Sequence, residues 1–389
     1  MNYKTWLPVI GLTLSAFVFN TSEFMPIGLL TDIANDFNIT EAHAGMLISV
    51  YAWMVALLSL PLMLLVCRME MRRLLLSIVG LFIVSHVCSA LSATYWQLML
   101  SRIGVACAHS VFWSIATPMA VRSVPDDKRS VAIGIVSTGT SVAMVVGLPL
   151  GRVIGMYVGW RTTFACIAAV ALLIFLFISM VFPKMPSHNS FSVKKMPLIL
   201  KNSVLMSAYV TTVLFATAHY TCYSYIEPFL GQTGGFDADT VTAILIAFGA
   251  AGAVGSVIFS KYYDRGRHTF CALTIGGVMV ALLLLRASAV SIAAVVAVCV
   301  LWSAMATAFN VAFQDTIMRY SPEGAAPIGM SIFSGIFNLG IGCGAFIGGL
   351  VCTHLTIADT GYVGGAICLA SLLTFTLVVV KAMRGVSKP

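Results

Sequence analysis

Two carboxylates, two imidazoles and a guanidinium stand in stretches of this chain that are otherwise apolar: Glu23, Glu227, His109, His219 and Arg102. From Trp6 to Leu29 the only ionisable residue is Glu23. An ionisable group at the middle of a bilayer costs on the order of 2–3 kcal/mol unless it faces a cavity or a partner, so a chain that keeps one there uses it. A carboxyl removed from bulk water binds and releases a proton as its surroundings change, and an unperturbed imidazole titrates near neutrality. Together these residues have the chemistry of a proton relay. The bland alternative for each is structural: Glu23 bonds a neighbouring helix, the imidazoles satisfy core hydrogen bonds, and Arg102 holds backbone carbonyls near its helix end. Of the two acids Glu23 is the better proton carrier, since Glu227, beside Pro228, lies nearer the end of its span.

Helical spacing groups these side chains. At 3.6 residues per turn, His219, Tyr220, Tyr223 and Glu227 fall within an arc of about 120°. Arg102, His109 and Trp113 are spaced by seven and four, and Asn20 sits one turn before Glu23. Polar and aromatic stripes of this kind are expected to face a central cavity rather than lipid. Such a mixture suits a concave small-molecule site, which combines apolar walls with a few placed polar groups. His86 has no evident partner. Asp315 and Arg319, four residues apart, read as an ion pair.

The elements that must position these groups are membrane helices. The chain has 389 residues, 59% hydrophobic and 9% charged, against about 25% charged in ordinary soluble domains. Taking about 20 apolar residues per crossing, spans are expected near 6–29, 43–66, 74–92, 95–121, 130–156, 161–182, 203–230, 240–262, 269–287, 290–318, 326–353 and 360–381. The first run is long, holds Glu23 and lacks a cleavage site, so it is read as a helix that stays. The fold class is therefore an all-α integral membrane protein of twelve transmembrane helices. Residues 1–182 form one six-helix half, 183–202 a polar linker and 203–389 the other half. The ten cysteines show neither CxxC nor metal-ligand spacing, and are read as packing thiols with no metal and no cofactor implied.

Lys4; Arg68, Arg72 and Arg73; Arg122, Lys128 and Arg129; Lys184, Lys194, Lys195 and Lys201; Lys261, Arg265 and Arg267; Arg319; and Lys381, Arg384 and Lys388 share one face, eighteen of the 22 basic residues. The opposite face carries Arg152, Arg161 and Arg286 with Asp32, Asp36, Glu41, Asp237, Asp239 and Asp359. The bias places both termini and the linker in the cytoplasm. It also accounts for the net charge of +8 without nucleic acid.

The halves repeat. Gly147, Gly151 and Gly155 are matched by Gly340, Gly344 and Gly348 at a constant offset of 193. Pro26 answers Pro228, and Pro125 answers Pro322. This is the pattern of a duplicated six-helix unit related by an axis along the membrane normal.

With that topology the residues resemble the major facilitator superfamily. Gly147-Leu-Pro149-Leu-Gly151 is similar to the span-five motif of its drug:proton antiporter group, and Gly159-Trp160-Arg161 to the element that opens span six. The basic pair Arg72 and Arg73 matches the loop after span two, but Arg68 and Leu64 stand where the family has Asp and Gly, which puts that loop's latch in doubt. Phe19-Asn20-Thr21-Ser22-Glu23-Phe24, Tyr51-Ala-Trp53, Arg102 with His109, Phe112-Trp113-Ser114, Ala218-His219-Tyr220 with Tyr223 and Glu227-Pro228, and Ser334-Gly335-Ile-Phe-Asn338 resemble the bacterial SotB-type sugar efflux transporters. The resemblance implies proton-driven export of sugars or sugar analogues across the bacterial inner membrane by alternating access, in a monomer. It adds Trp53 and Asn338 to the substrate-binding candidates, and Arg72, Arg73, Gly147, Pro149 and Gly151 as conformational motifs. A multidrug or nucleoside antiporter, or a passive facilitator, would share these features. An intramembrane enzyme would need a constellation such as HExxH or GxSxG, and neither is present.

Overall fold

A computed structural model of the chain describes residues 6–66, 68–125, 128–186, 196–322 and 326–385. Lys4, Cys67, Lys194, Lys195 and Lys388 lie outside the described residues. Among these residues the structure is helical with no strand, and each expected span is met by a helix. They are α1 (Leu7–Gly28), α2 (Glu41–Val66), α3 (Met71–Ala90), α4 (Tyr95–Arg122) and α5, which runs through Arg129–Val142, one wide turn at Ala143–Gly147 and Leu148–Val158. Then follow α6 (Trp160–Val181), α7 (Ser203–Tyr223), α8 (Ala238–Tyr262), α9 (Arg267–Ser288), α10 (Ile292–Tyr320), α11 (Ala326–His354) and α12 (Thr360–Thr374).

Among the described residues, ten helices are long and apolar enough to cross a membrane, and eleven if α5, bent by 43° between Val131–Gly147 and Pro149–Val158, is one span. The bend sits where Pro149 removes a backbone donor beside the wide turn. Helix α7 is not among them, because Thr211, Thr212, Thr217, Thr221, His219 and three tyrosines dilute its hydropathy. That polarity is itself a functional sign. Its expected continuation to 230 is interrupted: Ser224 and Tyr225 form a turn before the short helix Ile226–Pro228 and a wide turn at Phe229–Thr233.

The chain forms two compact units. One comprises Met1–Ile39 with Leu57–Phe191, the other Thr40–Ala56 with Ser192–Pro389. The division runs through α2, whose first half belongs with the second unit.

Glycines set how closely helices approach inside each unit. In the first, a Cβ on Gly139 would sit 2.4 Å from the Thr13 carbonyl oxygen, on Gly147 2.7 Å from Thr21 Oγ1, and on Gly151 2.5 Å from Met25 Cγ. In the second, Gly340, Gly344 and Gly348 of α11 press on α7: Gly340 faces Ala216 and Val213, Gly344 the Thr217 carbonyl and Gly348 the Thr221 carbonyl, the last two at 2.5 Å. The glycines that repeat at 193 residues thus make the same kind of seam, α1 on α5 and α7 on α11. Small residues suit such contacts, since membrane helices gain by close backbone approach rather than by burial from water.

Candidate functional site

The end of α1 is built around a missing donor. Pro26 has no N–H for the Ser22 carbonyl four residues back, and Arg102 of α4 supplies one instead, with Nη1 3.2 Å from Ser22 O and 3.4 Å from Ser22 Oγ. Further on, Arg152 Nη1 donates to the Gly28 carbonyl at 3.2 Å. Two guanidinium groups therefore face the carbonyl end of α1, where the helix dipole favours positive charge. Arg102 is 1% exposed, and it places its cation one residue from Glu23.

Around that pair lies a polar strand of side chains. Ser22 Oγ is 2.8 Å from His86 Nε2, which gives His86 of α3 the partner that spacing alone did not reveal. Glu23, buried, brings Oε2 to 3.6 Å from Nε2 of His109. The same nitrogen accepts the Trp113 indole N–H at 2.7 Å. Asn20 donates to the Thr140 carbonyl of α5 at 3.4 Å. Apolar packing fixes the group: Phe19 stacks between Phe82 and Phe112, with centroids at 4.2 and 4.3 Å. The expected residues of the first half, Asn20, Glu23, Arg102, His109 and Trp113, are thus on neighbouring turns of α1 and α4.

The second unit holds an aromatic cluster. His219 is ringed by Tyr220 at 4.8 Å, Tyr223 at 5.2 Å and Trp302 at 5.3 Å, with Phe248 at 5.0 Å from Tyr223 and 5.2 Å from Trp302. The Trp302 indole donates to His219 Nδ1 at 2.9 Å. Trp302 is fully buried and was not among the expected residues; the available signal was a tryptophan in the middle of a span, away from the interfaces where tryptophans usually anchor. Glu227, also buried, lies past the break at Ser224–Tyr225, so the arc shared with His219 ends at Tyr223 and does not govern the direction of Glu227.

Trp53 of α2 packs on α11, its ring 5.6 Å from Phe346, in room left by Gly342. Asn338 is buried, donates to Ser334 O at 3.1 Å, and its Oδ1 has no hydrogen-bond partner among the described residues. That acceptor is unused, and buried acceptors are rarely left so.

At the basic ends of the helices, Glu70 caps α3 by accepting from the Arg72 and Arg73 backbone N–H, both at 3.0 Å, and from Met185 N at 2.7 Å. Burial raises the Glu70 pKa, but these three N–H bonds outweigh it and hold the carboxyl below its ordinary range. Arg72 reaches the Ser179 carbonyl of α6. The loop is thus secured by Glu70, where Arg68 replaces the family's acid. Asp315 and Arg319 form the expected pair at 2.8 Å. On the opposite side Arg161 bridges Asp36 at 2.7 Å and stacks over Trp160 at 4.2 Å. Gly159, at φ +89°, makes the left-handed turn that starts α6 there.

The fold is shared with a bacterial homolog of the human lysosomal transporter Spinster. In its inward-facing, unoccupied crystal structure the match has a TM-score of 0.87, at 15% identity over 100% of both chains. In its inward-facing, occupied structure the TM-score is 0.70, at 18% identity over 97% of this chain and 94% of that one. The family model of the Major Facilitator Superfamily matches residues 12–327. Because that match covers most of the chain, the chain belongs to the Major Facilitator Superfamily and is a membrane transporter rather than an enzyme.

Proposed function

We propose that the chain is a sugar:proton antiporter that exports sugars or sugar analogues from the cytoplasm by alternating access, its Lys/Arg-rich loops and both termini facing the cytoplasm of a bacterial inner membrane. Two six-helix lobes, 1–182 and 203–389, joined by the linker 183–202, alternate access as a monomer. One observation carries the reading: a buried carboxylate, Glu23, lies 3.6 Å from a histidine nitrogen inside a membrane-spanning helix bundle. A group so costly to bury is retained for its proton. Inward proton movement supplies about 2.3 kcal/mol per 100 mV, enough for roughly a fifty-fold gradient at one proton per sugar.

The binding groups divide by chemistry. Asn20, Asn338 and the imidazoles offer donors and acceptors to hydroxyls, while Trp53, Trp113, Tyr220 and Tyr223 offer ring faces to C–H edges. In everted vesicles, uptake should be abolished by a protonophore and by Glu23→Gln together with Glu227→Gln; uptake that survives both refutes the coupling. The ring cluster of Tyr223, Phe248 and Trp302 favours one other reading, a multidrug or nucleoside antiporter, since the same rings hold a lipophilic cation or a flat base. A panel of sugars, nucleosides and lipophilic cations in liposomes carrying a pH dye separates the two.

A further inference from the structure

Two neighbours make opposite demands on one atom of His109. The Trp113 indole, one turn along α4, directs its N–H at Nε2 across 2.7 Å. An indole only donates, so this contact needs a lone pair on Nε2. Glu23 Oε2 stands 3.6 Å from the same nitrogen, beyond hydrogen-bond length. A carboxylate only accepts, so closing that gap needs a hydrogen on Nε2. One ring position cannot serve both at once.

We propose that Trp113 is the positioning residue of a Glu23–His109 proton-exchange pair and that its indole reports where the proton sits. With the proton on the Glu23 carboxyl, His109 is neutral and keeps the indole bond. When the proton passes to Nε2, the O–H bond of Glu23 breaks and an N–H bond forms; carboxylate and imidazolium pair, and the indole loses its acceptor and turns. Trp113 is only partly buried, packed edge-on against Phe112 at 5.2 Å, so the turn reshapes a wall of the first unit. Proton position is thereby converted into the shape of a surface that substrate meets. The inference rests on the proton-coupled reading and names the device by which the coupling acts.

The charged groups around the pair fit this assignment. From α1 only Glu23 is ionisable. On α4, Arg102 is held on Ser22 O; from α3, His86 is held on Ser22 Oγ. Helix α5 contributes Arg129 at its start and Arg152, which is bound to Gly28 O.

The test uses the full-length protein. In everted vesicles Trp113→Phe, which lacks the donor, should move the pH profile of transport upward by about one unit, the size of one lost hydrogen bond. Trp113→Tyr, with an O–H to donate, should move it back. In purified protein the emission of Trp113, taken as wild type minus Trp113→Phe, should change with pH, and that change should vanish in His109→Gln. An unmoved profile in folded Trp113→Phe overturns the inference, while loss of pH dependence in Glu23→Gln still upholds the antiporter reading. Persistence of pH dependence in Glu23→Gln overturns the inference, and its persistence in Glu23→Gln together with Glu227→Gln sinks the antiporter reading as well. Should Trp113→Phe fail to fold, a pH-dependent wild-type emission that survives in His109→Gln overturns it independently.

Discussion

Trp302 donates its indole N–H to Nδ1 of His219 across 2.9 Å, from a position 83 residues further along the chain. A neutral imidazole bonded in this way must carry its own hydrogen on Nε2, which makes His219 a donor of fixed direction. Trp302→Phe should therefore raise the half-saturating substrate concentration about tenfold, the equivalent of one hydrogen bond, with the maximal rate little changed. Initial rates of uptake in everted vesicles measure this.

The seam between α1 and α5 should tolerate substitution unequally. A Cβ at Gly139 meets a backbone oxygen, while at Gly151 it meets Cγ of Met25, a side-chain atom that rotation about χ1 can move. Gly139→Ala is expected to cost about 1–3 kcal/mol and to lower the melting temperature in detergent by several degrees. Gly151→Ala should lose less than half as much, because the Met25 side chain can swing aside.

Tyr225 lies where α7 breaks. Its hydroxyl donates to the Ala345 carbonyl at 2.9 Å, and a Cβ on Gly45 would come within 2.1 Å of that hydroxyl. Tyr225→Phe should cost about 1 kcal/mol, and Gly45→Ala more. Combining them should cost less than the sum of the two, since the first removes the atom that the second strikes most closely. Thermal unfolding of the three variants supplies the coupling.

Glu70 predicts an acid dependence outside the membrane. Its carboxyl is held below the ordinary range by N–H bonds from Met185, Arg72 and Arg73, against the opposing effect of burial. Its contribution is present above the unfolded-state value of about 4.3 and is lost as pH falls through the lower folded value. The melting-temperature gap between wild type and Glu70→Gln should be constant at neutral pH and close below about pH 4.

What was legible in the sequence was whatever depends on neighbours along the chain. Spans follow from apolar length, and the Asp315–Arg319 pair from one helical turn. The glycines of α5 and α11 were visible as a repeat because the same close approach is made twice. The hydrogen bonds of Ser22 with His86, and of Trp302 with His219, join residues 64 and 83 apart, and no periodicity encodes a partner on another helix. The break at Ser224–Tyr225 was masked because neither residue is a Gly or Pro, and hydropathy does not register a turn that is satisfied inside protein. Pro26 was readable as a lost backbone bond, but only the fold reveals that Arg102 fills the vacancy.

Helix α2 belongs to both compact units, and the division between Ala56 and Leu57 falls where Pro61 leaves the Leu57 carbonyl without its usual helical donor. The missing bond makes this turn a compliant point in an otherwise continuous rod, so α2 bends here at less cost than along its fully bonded turns.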